Sequence, residues 1–422
     1  METFDVLVIG AGPAGCSAAT VLAEHGRRVA LLEKEAFPRY RVGESLIPYC
    51  WFPLDRLGLV EKLDNSAFIV HKHSVQFASV DGRISIPFYF HEHDDHPSSR
   101  TWQVTRSEFD QLLLDNAVEK GAKLFERTAA KELLERDGRI VGVRAEDADG
   151  RSFLLEACIT IDASGRDLFT QKRNRWRVPD EKLQKIAIWT YYEGAMRDPG
   201  VDEGATTIAY IPEKGWFWYL PQANDLVSVG IVADSDYLYR DTRDPREIFE
   251  REIKAQPWIE RHLAPGTPTG RFRVTHDFSY RSRYCAMDGL VLAGDAFAFL
   301  DPVFSSGVFF ALNGGILAGD AVEAALAAND TSAERFTEYG ERICRGIEAM
   351  RRLVHAFYDR TFNFGQFMKA NPQFHGDVTD CLIGNLERDF SALFAAMSAD
   401  ADIPEPLTHG RPYTAEDRST AL

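Results

Sequence analysis

The first fifteen residues decide what the rest of the chain folds around. Val6-Leu7-Val8-Ile9 reads as a buried strand that runs directly into Gly10-Ala11-Gly12-Pro13-Ala14-Gly15 and then into a helical stretch from Cys16 to His25. In such a strand-turn-helix unit Gly10 permits the tight turn, Gly12 lets the backbone approach a pyrophosphate, and Gly15 lets the helix pack on its strand. The helix opens at Pro13 and Ala14, where unpaired N–H groups and the helix dipole favour an anion. A second strand, Arg28 to Leu32, ends in Glu33 and Lys34, about 20 residues beyond the turn, where an acid binds ribose hydroxyls. A turn kept only for packing has no use for that acid. The sequence therefore predicts a dinucleotide site built from Gly10, Gly12, Pro13, Ala14, Gly15, Glu33 and Lys34.

At 422 residues the chain has room for two or three domains. Its 64 acidic against 48 basic residues leave a net charge of -16, which argues against nucleic acid and against anionic membrane surfaces. No stretch reaches the roughly 18 uninterrupted apolar residues of a membrane helix, and the N-terminal strand carries Asp5 with no basic segment before it, unlike a secretory signal. The six cysteines are scattered without a CxxC pair, as in free thiols of a reducing compartment. A cytoplasmic protein with small-molecule or protein partners is expected.

The chain does not divide into consecutive blocks. A helical pattern runs from Arg106 to Lys120, and strand-like pieces lead to Ile159-Thr160-Ile161-Asp162-Ala163-Ser164-Gly165. Between about Lys185 and Asp234 the period shifts towards two, so that Thr206 to Ile211, Trp216 to Leu220 and Leu226 to Val232 read as antiparallel strands. A further strand, Gly289 to Ala293, ends in Gly294-Asp295-Ala296, and a long helix is predicted from Gly307 through Leu326. The expected fold is α/β: a Rossmann-like nucleotide-binding domain (1–70, 100–165 and 280–335), an inserted antiparallel substrate sheet (71–99 and 166–279) and a helical C-terminal region (336–422).

Four further segments resemble the flavin-dependent halogenases, a group within the glutathione-reductase-type flavoproteins related to p-hydroxybenzoate hydroxylase. They are Phe37-Pro38-Arg39 with Val42-Gly43-Glu44-Ser45-Leu46; Arg106-Ser107-Glu108-Phe109-Asp110; Trp216-Phe217-Trp218-Tyr219-Leu220-Pro221; and Gly294-Asp295-Ala296 with Asp301-Pro302-Val303-Phe304-Ser305-Ser306-Gly307-Val308. The third resembles the family's WxWxIP box, with Leu220 replacing isoleucine. The resemblance implies FAD as cofactor, held also by Arg41, Arg106, Asp295, Gly307 and Val308, with Asp295 on the ribityl chain. It implies chloride or bromide near the N–H groups of Ser306 and Gly307, and a substrate pocket at Trp216, Trp218 and Phe304. Tryptophan halogenases carry a glutamate where this chain has Phe304; an apolar residue there is similar to members acting on phenols and pyrroles, often on a carrier protein.

The resemblance also singles out Lys72 as the residue that receives the halogen. Taken alone, a lysine is more often a solvated surface group. As a strand, residues 69–77 would place Lys72 on one face with Val70, Ser74 and Gln76, opposite His71, His73, Val75 and Phe77. A buried amine has its charged form disfavoured and can act as a nucleophile. The run His91-Glu92-His93-Asp94-Asp95-His96 looks metal-like, but such close spacing in a polar loop more often faces solvent, and no metal is expected. The implied reaction uses FADH2 from a separate reductase: oxygen forms a flavin C4a-hydroperoxide, halide converts it to hypohalous acid, and Lys72 passes the halogen to an electron-rich aromatic substrate. Two alternatives stay open: a non-halogenating FAD oxidoreductase, either a hydroxylase or geranylgeranyl-reductase-like, and a flavin-binding scaffold without catalysis.

Overall fold

The computed structural model describes residues 2–420. Strand β1 (Glu2–Ile9), the helix Pro13–Glu24 and β2 (Val29–Leu32) form the predicted opening unit. Val6, Leu7 and Val8 have no exposed surface; a run buried on both faces belongs in a parallel sheet covered on both sides. Next along the chain come β3 (Ile69–Lys72), β4 (Ser74–Ala78), β5 (Phe88–Tyr89), β6 (Thr101–Val104), β7 (Lys123–Phe125), β8 (Ala129–Arg136), β9 (Arg139–Glu146) and β10 (Ser152–Asp162). The remaining strands are β11 (Arg177–Glu193), β12 (Thr206–Tyr210), β13 (Trp216–Pro221), β14 (Leu226–Asp234), β15 (Thr267–Ser282), β16 (Ala286–Met287), β17 (Leu290–Leu292) and β18 (Ala298–Phe299).

Two large sheets result. The first has the order β16-β17-β10-β1-β2-β7, with β17, β10, β1, β2 and β7 parallel and the β8–β9 hairpin attached to β10. The second has the order β18-β15-β11-β14-β13-β12-β4-β5 and is antiparallel except where β4 runs alongside β12. Strands β3 and β6 form a two-stranded ribbon outside both large sheets, and Gln103 of β6 also bridges Ser45.

Three details depart from the sequence reading. The division at residues 70 and 71 cuts through β3, so Lys72 lies on a two-stranded ribbon outside both large sheets. Strand β18, expected in the nucleotide-binding part, closes the second sheet beside β15. Strand β15 carries no local strand pattern, because its Pro268, Gly270, Arg271 and Arg273 belong to residue types depleted from strands or of no strong strand preference. It forms because long strand β11 offers an edge, over a register broken at two places.

The helix Gly307–Ala327 crosses the opening helix closely. A Cβ on Gly315 would stand 2.3 Å from the carbonyl oxygen of Ala14, and one on Gly319 3.0 Å from the Val21 Cβ. By length and mean hydropathy (1.3) this helix is apolar enough to cross a membrane, but 56% of its apolar window is buried inside the protein, as for a core helix. The helix Thr337–Tyr358 and shorter helices complete the chain.

Candidate functional site

A cavity of about 840 Å³ opens between the two large sheets. Gly10, Gly12 and Glu33 line it from the first sheet, Ile208, Trp216 and Trp218 from the second, and Asp295, Gly307 and Val308 from the segment that links them. Gly10 sits at φ +99°, where a Cβ would fall 2.4 Å from the Ala163 carbonyl oxygen, and a Cβ on Gly15 would fall 1.9 Å from the Gly10 oxygen. Gly12 differs, because a Cβ there would meet only Arg39 Nη2 at 3.7 Å. No protein atom there requires a glycine, so the backbone stays open to the close approach of a ligand. The helix beginning at Pro13 has no side-chain cap, leaving its first N–H groups for an anion.

The acids fit the rest of a flavin dinucleotide. Glu33 is buried, accepts the N–H groups of Ala11 (3.2 Å) and Glu35 (2.9 Å), and faces the cavity. The Asp295 carboxyl lines the same cavity and has no hydrogen-bond partner among the described residues; burial pushes it up to about 6. An acceptor left unmatched beside a cradle for diphosphate suits the hydroxyls of a ribityl chain. Arg39, not assigned from sequence, is the buried organiser of this region, donating to Asp110 (2.7 Å) and to the Ala11 carbonyl (3.3 Å). Arg106 reaches the cavity wall but is fixed by Asp110 (2.9 Å) and donates to the carbonyls of Val42 and Gly43. Lys34 pairs with Asp167, and Arg41 with Glu35 at 2.6 Å, both on the cavity wall.

Lys72 is 1% exposed. Its Nζ donates to Ser45 Oγ (2.9 Å) and the Leu46 carbonyl (3.0 Å), and lies 5.7 Å from the Phe90 ring centroid. Burial pushes the ammonium down to about 7. Of the face that alternation groups, Lys72, Ser74 and Gln76 are buried and Val70 is half-buried; alternation alone does not say which face lies inside. Ser45 bonds Thr206 Oγ1 (2.9 Å), which also accepts from Gln103. Ser45 and Thr206 line the large cavity, so the amine stands one hydrogen bond behind its wall. Neither hydroxyl carries a sequence signal for that role, since they meet across 161 residues.

On β13 the side chains alternate as expected. Trp216, Trp218 and Leu220 face the cavity, while Phe217 and Tyr219 pack on Phe249 and Trp258 behind the sheet. Glu44, also on the wall, is buried and accepts from the Tyr191 hydroxyl at 2.5 Å; burial raises its carboxyl above the ordinary range. Phe304 is half-buried and meets Phe357 (5.7 Å) and Phe364 (6.5 Å) edge-on. Ser306 is buried and, with Gly307, begins a helix that lacks a side-chain cap. In the histidine run, His93 contacts Asp380 at 3.1 Å and His96 stacks on Phe52.

Comparison with known proteins accords with this geometry. A family model for tryptophan halogenases matches residues 5–102 and 88–371. A 1H-pyrrole-2-carbonyl peptidyl-carrier-protein brominase from Pseudoalteromonas luteoviolacea is 32% identical over 386 residues, covering 91% of this chain and 92% of the relative. The corresponding chlorinase from Pseudomonas fluorescens is 30% identical over 407 residues, 91% of this chain and 89% of its own. The solved structure of the flavin-dependent brominase Bmp2 superposes with a TM-score of 0.86 at 29% identity, over 94% of this chain and 98% of that one. With its glycine cradle, unmatched Asp295, buried Lys72 and likeness along most of its length, the chain belongs to the flavin-dependent halogenase family.

Proposed function

We propose that this halogenase transfers chloride- or bromide-derived halogen through Lys72 to an electron-rich phenol or pyrrole, presented on a carrier protein, with reduced FAD delivered by a separate cytoplasmic reductase. The parallel sheet, with Gly10 to Gly15, Glu33, Lys34, Arg41, Arg106, Asp295, Gly307 and Val308, holds the FAD. The N–H groups of Ser306 and Gly307 hold the halide, since desolvated donors at a helix start suit an anion. What the bound flavin supplies, once reduced and exposed to oxygen and halide, is hypohalous acid.

The protein's own groups do the remaining work. The neutral Lys72 nitrogen attacks the halogen of the hypohalous acid; the N–X bond forms as the O–X bond breaks, and the amine proton leaves with hydroxide as water. The aromatic ring then attacks the halogen on nitrogen, loses its ring proton and regenerates the amine. Ser45 and the Leu46 carbonyl orient the nitrogen for both steps. Glu44, its carboxyl raised by burial and held by the Tyr191 hydroxyl, stands on the cavity wall beside the proposed path. Trp216 and Trp218 line the wall and exclude water around the reacting species.

The observation that carries this reading is that Lys72 is buried, with no carboxylate partner among the described residues, one hydrogen bond from the cavity. Purified protein with photoreduced FAD, oxygen and bromide is expected to brominate monochlorodimedone and a phenol or pyrrole probe. Lys72→Ala should abolish probe bromination while oxygen consumption continues. Halide-independent oxygenation of the probe would make the chain a hydroxylase instead, and no flavin turnover would leave a scaffold.

A further inference from the structure

Halogen transfer through an amine moves a proton twice. The nitrogen must lose one as it takes the halogen from hypohalous acid, and must regain one as the aromatic ring removes the halogen. Among the described residues, Lys72 Nζ donates to two acceptors, Ser45 Oγ (2.9 Å) and the Leu46 carbonyl (3.0 Å). A carbonyl can accept a hydrogen bond but has no hydrogen to pass on, whereas a hydroxyl does both. Of these two contacts, only Ser45 can carry the proton.

The path continues from there. Ser45 Oγ lies 2.9 Å from Thr206 Oγ1, and both residues, though buried, line the large cavity. Backbone pairing fixes the meeting: β6 holds Lys72 opposite Thr101 on one edge, and on the other it bridges Ser45 at Gln103 and accepts the Leu46 N–H at Trp102 (3.0 Å). Gly204 brings the start of β12 against β3, since a Cβ there would fall 2.0 Å from the His71 carbonyl oxygen. Gln103 then sets the direction of the hydrogen bonds. Its Nε2 donates to the Gly204 carbonyl (3.1 Å) and to Thr206 Oγ1 (2.9 Å), while its Oε1 is buried without a partner among the described residues. Turning the amide over would face its oxygen with the Gly204 oxygen, two acceptors together, so the donors stay where they are. Thr206 therefore accepts from Gln103 and Ser45 accepts from Lys72. One hydroxyl hydrogen joins the two oxygens, and the other is left for the cavity.

We infer that Ser45 and Thr206 form a proton relay between Lys72 and the cavity, with Gln103 positioning Thr206 for it. This rests on the halogenase reading above. As the O–X bond of hypohalous acid breaks and the N–X bond forms, the amine proton passes to Ser45, the Ser45 proton to Thr206, and the Thr206 proton to the departing hydroxide, which becomes water. Each hydroxyl ends with the one hydrogen it began with. When the ring attacks the halogen on nitrogen, the proton lost by the ring enters at Thr206 and the same chain, run backwards, restores the amine.

Thr206→Val keeps the shape of the side chain and deletes its hydroxyl; Thr206→Ser keeps the hydroxyl. The first measurement needs no flavin: exchange of the Lys72 Nζ hydrogens with water, followed by NMR on protein carrying isotope-labelled lysine. Exchange should slow by about 10-fold or more in the valine variant and recover in the serine variant. In turnover with reduced FAD, oxygen, bromide and a phenol probe, the valine variant should lose about 100-fold in kcat at unchanged KM, and the serine variant should regain most of it. A raised KM at unchanged kcat would make Thr206 a substrate contact, equal loss in both variants would mark a packing role, and unchanged exchange and kcat would mean that the proton leaves through water; each overturns the relay. If the native chain brominates nothing, the halogenase mechanism falls, and the flavin-free exchange comparison still decides whether the two hydroxyls carry the amine's protons.

Discussion

Lys72 is costly to keep charged where it is, and that cost sets both its chemistry and its signature in pH. The amine meets a hydroxyl and a carbonyl but, among the described residues, no carboxylate, so burial dominates and the ammonium falls to about 7 from 10.5. Halogen transfer through the neutral amine should therefore rise with pH through about 7, checked as the acid limb of kcat for a phenol probe; Lys72→Arg, permanently charged, should lose transfer by more than about 100-fold at every pH. The same shift acts on stability. Between about 7 and 10.5 the unfolded chain binds more protons than the folded one, so the folded state gains stability as pH rises across that window, and the contribution is flat outside it. Lys72→Met lacks the group, so the difference in urea midpoint, native minus variant, should grow from pH 7 to pH 10. A difference independent of pH would mean that the amine titrates normally and is not desolvated.

At the scale of elements, small residues set how closely the working surfaces approach. Gly230 on β14 leaves room for the Trp218 ring, whose nearest atom would lie 2.2 Å from a Cβ there; Gly315 does the same for the backbone of Ala14. In Gly315→Ala the clash is with main chain at the start of the cofactor-binding helix, so the long helix must move or the glycine turn must. The expected cost is about 1–3 kcal/mol, seen as a lower urea midpoint together with weaker quenching of FAD fluorescence; stability lost with unchanged FAD affinity would show that the long helix moves alone. These elements also explain what the sequence discloses. The opening turn, β13 and the helix Gly307–Ala327 are written locally, in glycine spacing, period-two aromatics and an apolar run, and all three form as expected. Strand β15 and the β3–β6 ribbon are set by partners far away in the chain, and the wall that holds Lys72 depends on Ser45 meeting Thr206, a pairing no local pattern records.

At the scale of the whole molecule, the cavity exists only because the two sheets and the C-terminal helices are held together. Trp216 on β13 donates to Tyr358 at the end of the helix Thr337–Tyr358, and Tyr358 donates to Asp301, which in turn caps the Val303 N–H just before the Gly307 helix. One chain of hydrogen bonds thus joins the aromatic wall, the helical region and the start of the segment proposed for halide. Because FAD would touch walls from both sheets, its binding should stabilise the fold as a unit rather than one part of it. A ligand at 100 times its Kd adds about 2.7 kcal/mol, so a single unfolding transition should shift upward by several degrees with FAD, in calorimetry and in far-UV circular dichroism alike. Asp295→Asn replaces the unmatched carboxyl with an amide that offers a weaker acceptor to a polyol, and should need roughly 10-fold more FAD for the same shift while unfolding at the same temperature without it. Two separate transitions, of which only one responds to FAD, would show that the sheets unfold independently and that the cofactor rests on the parallel sheet alone.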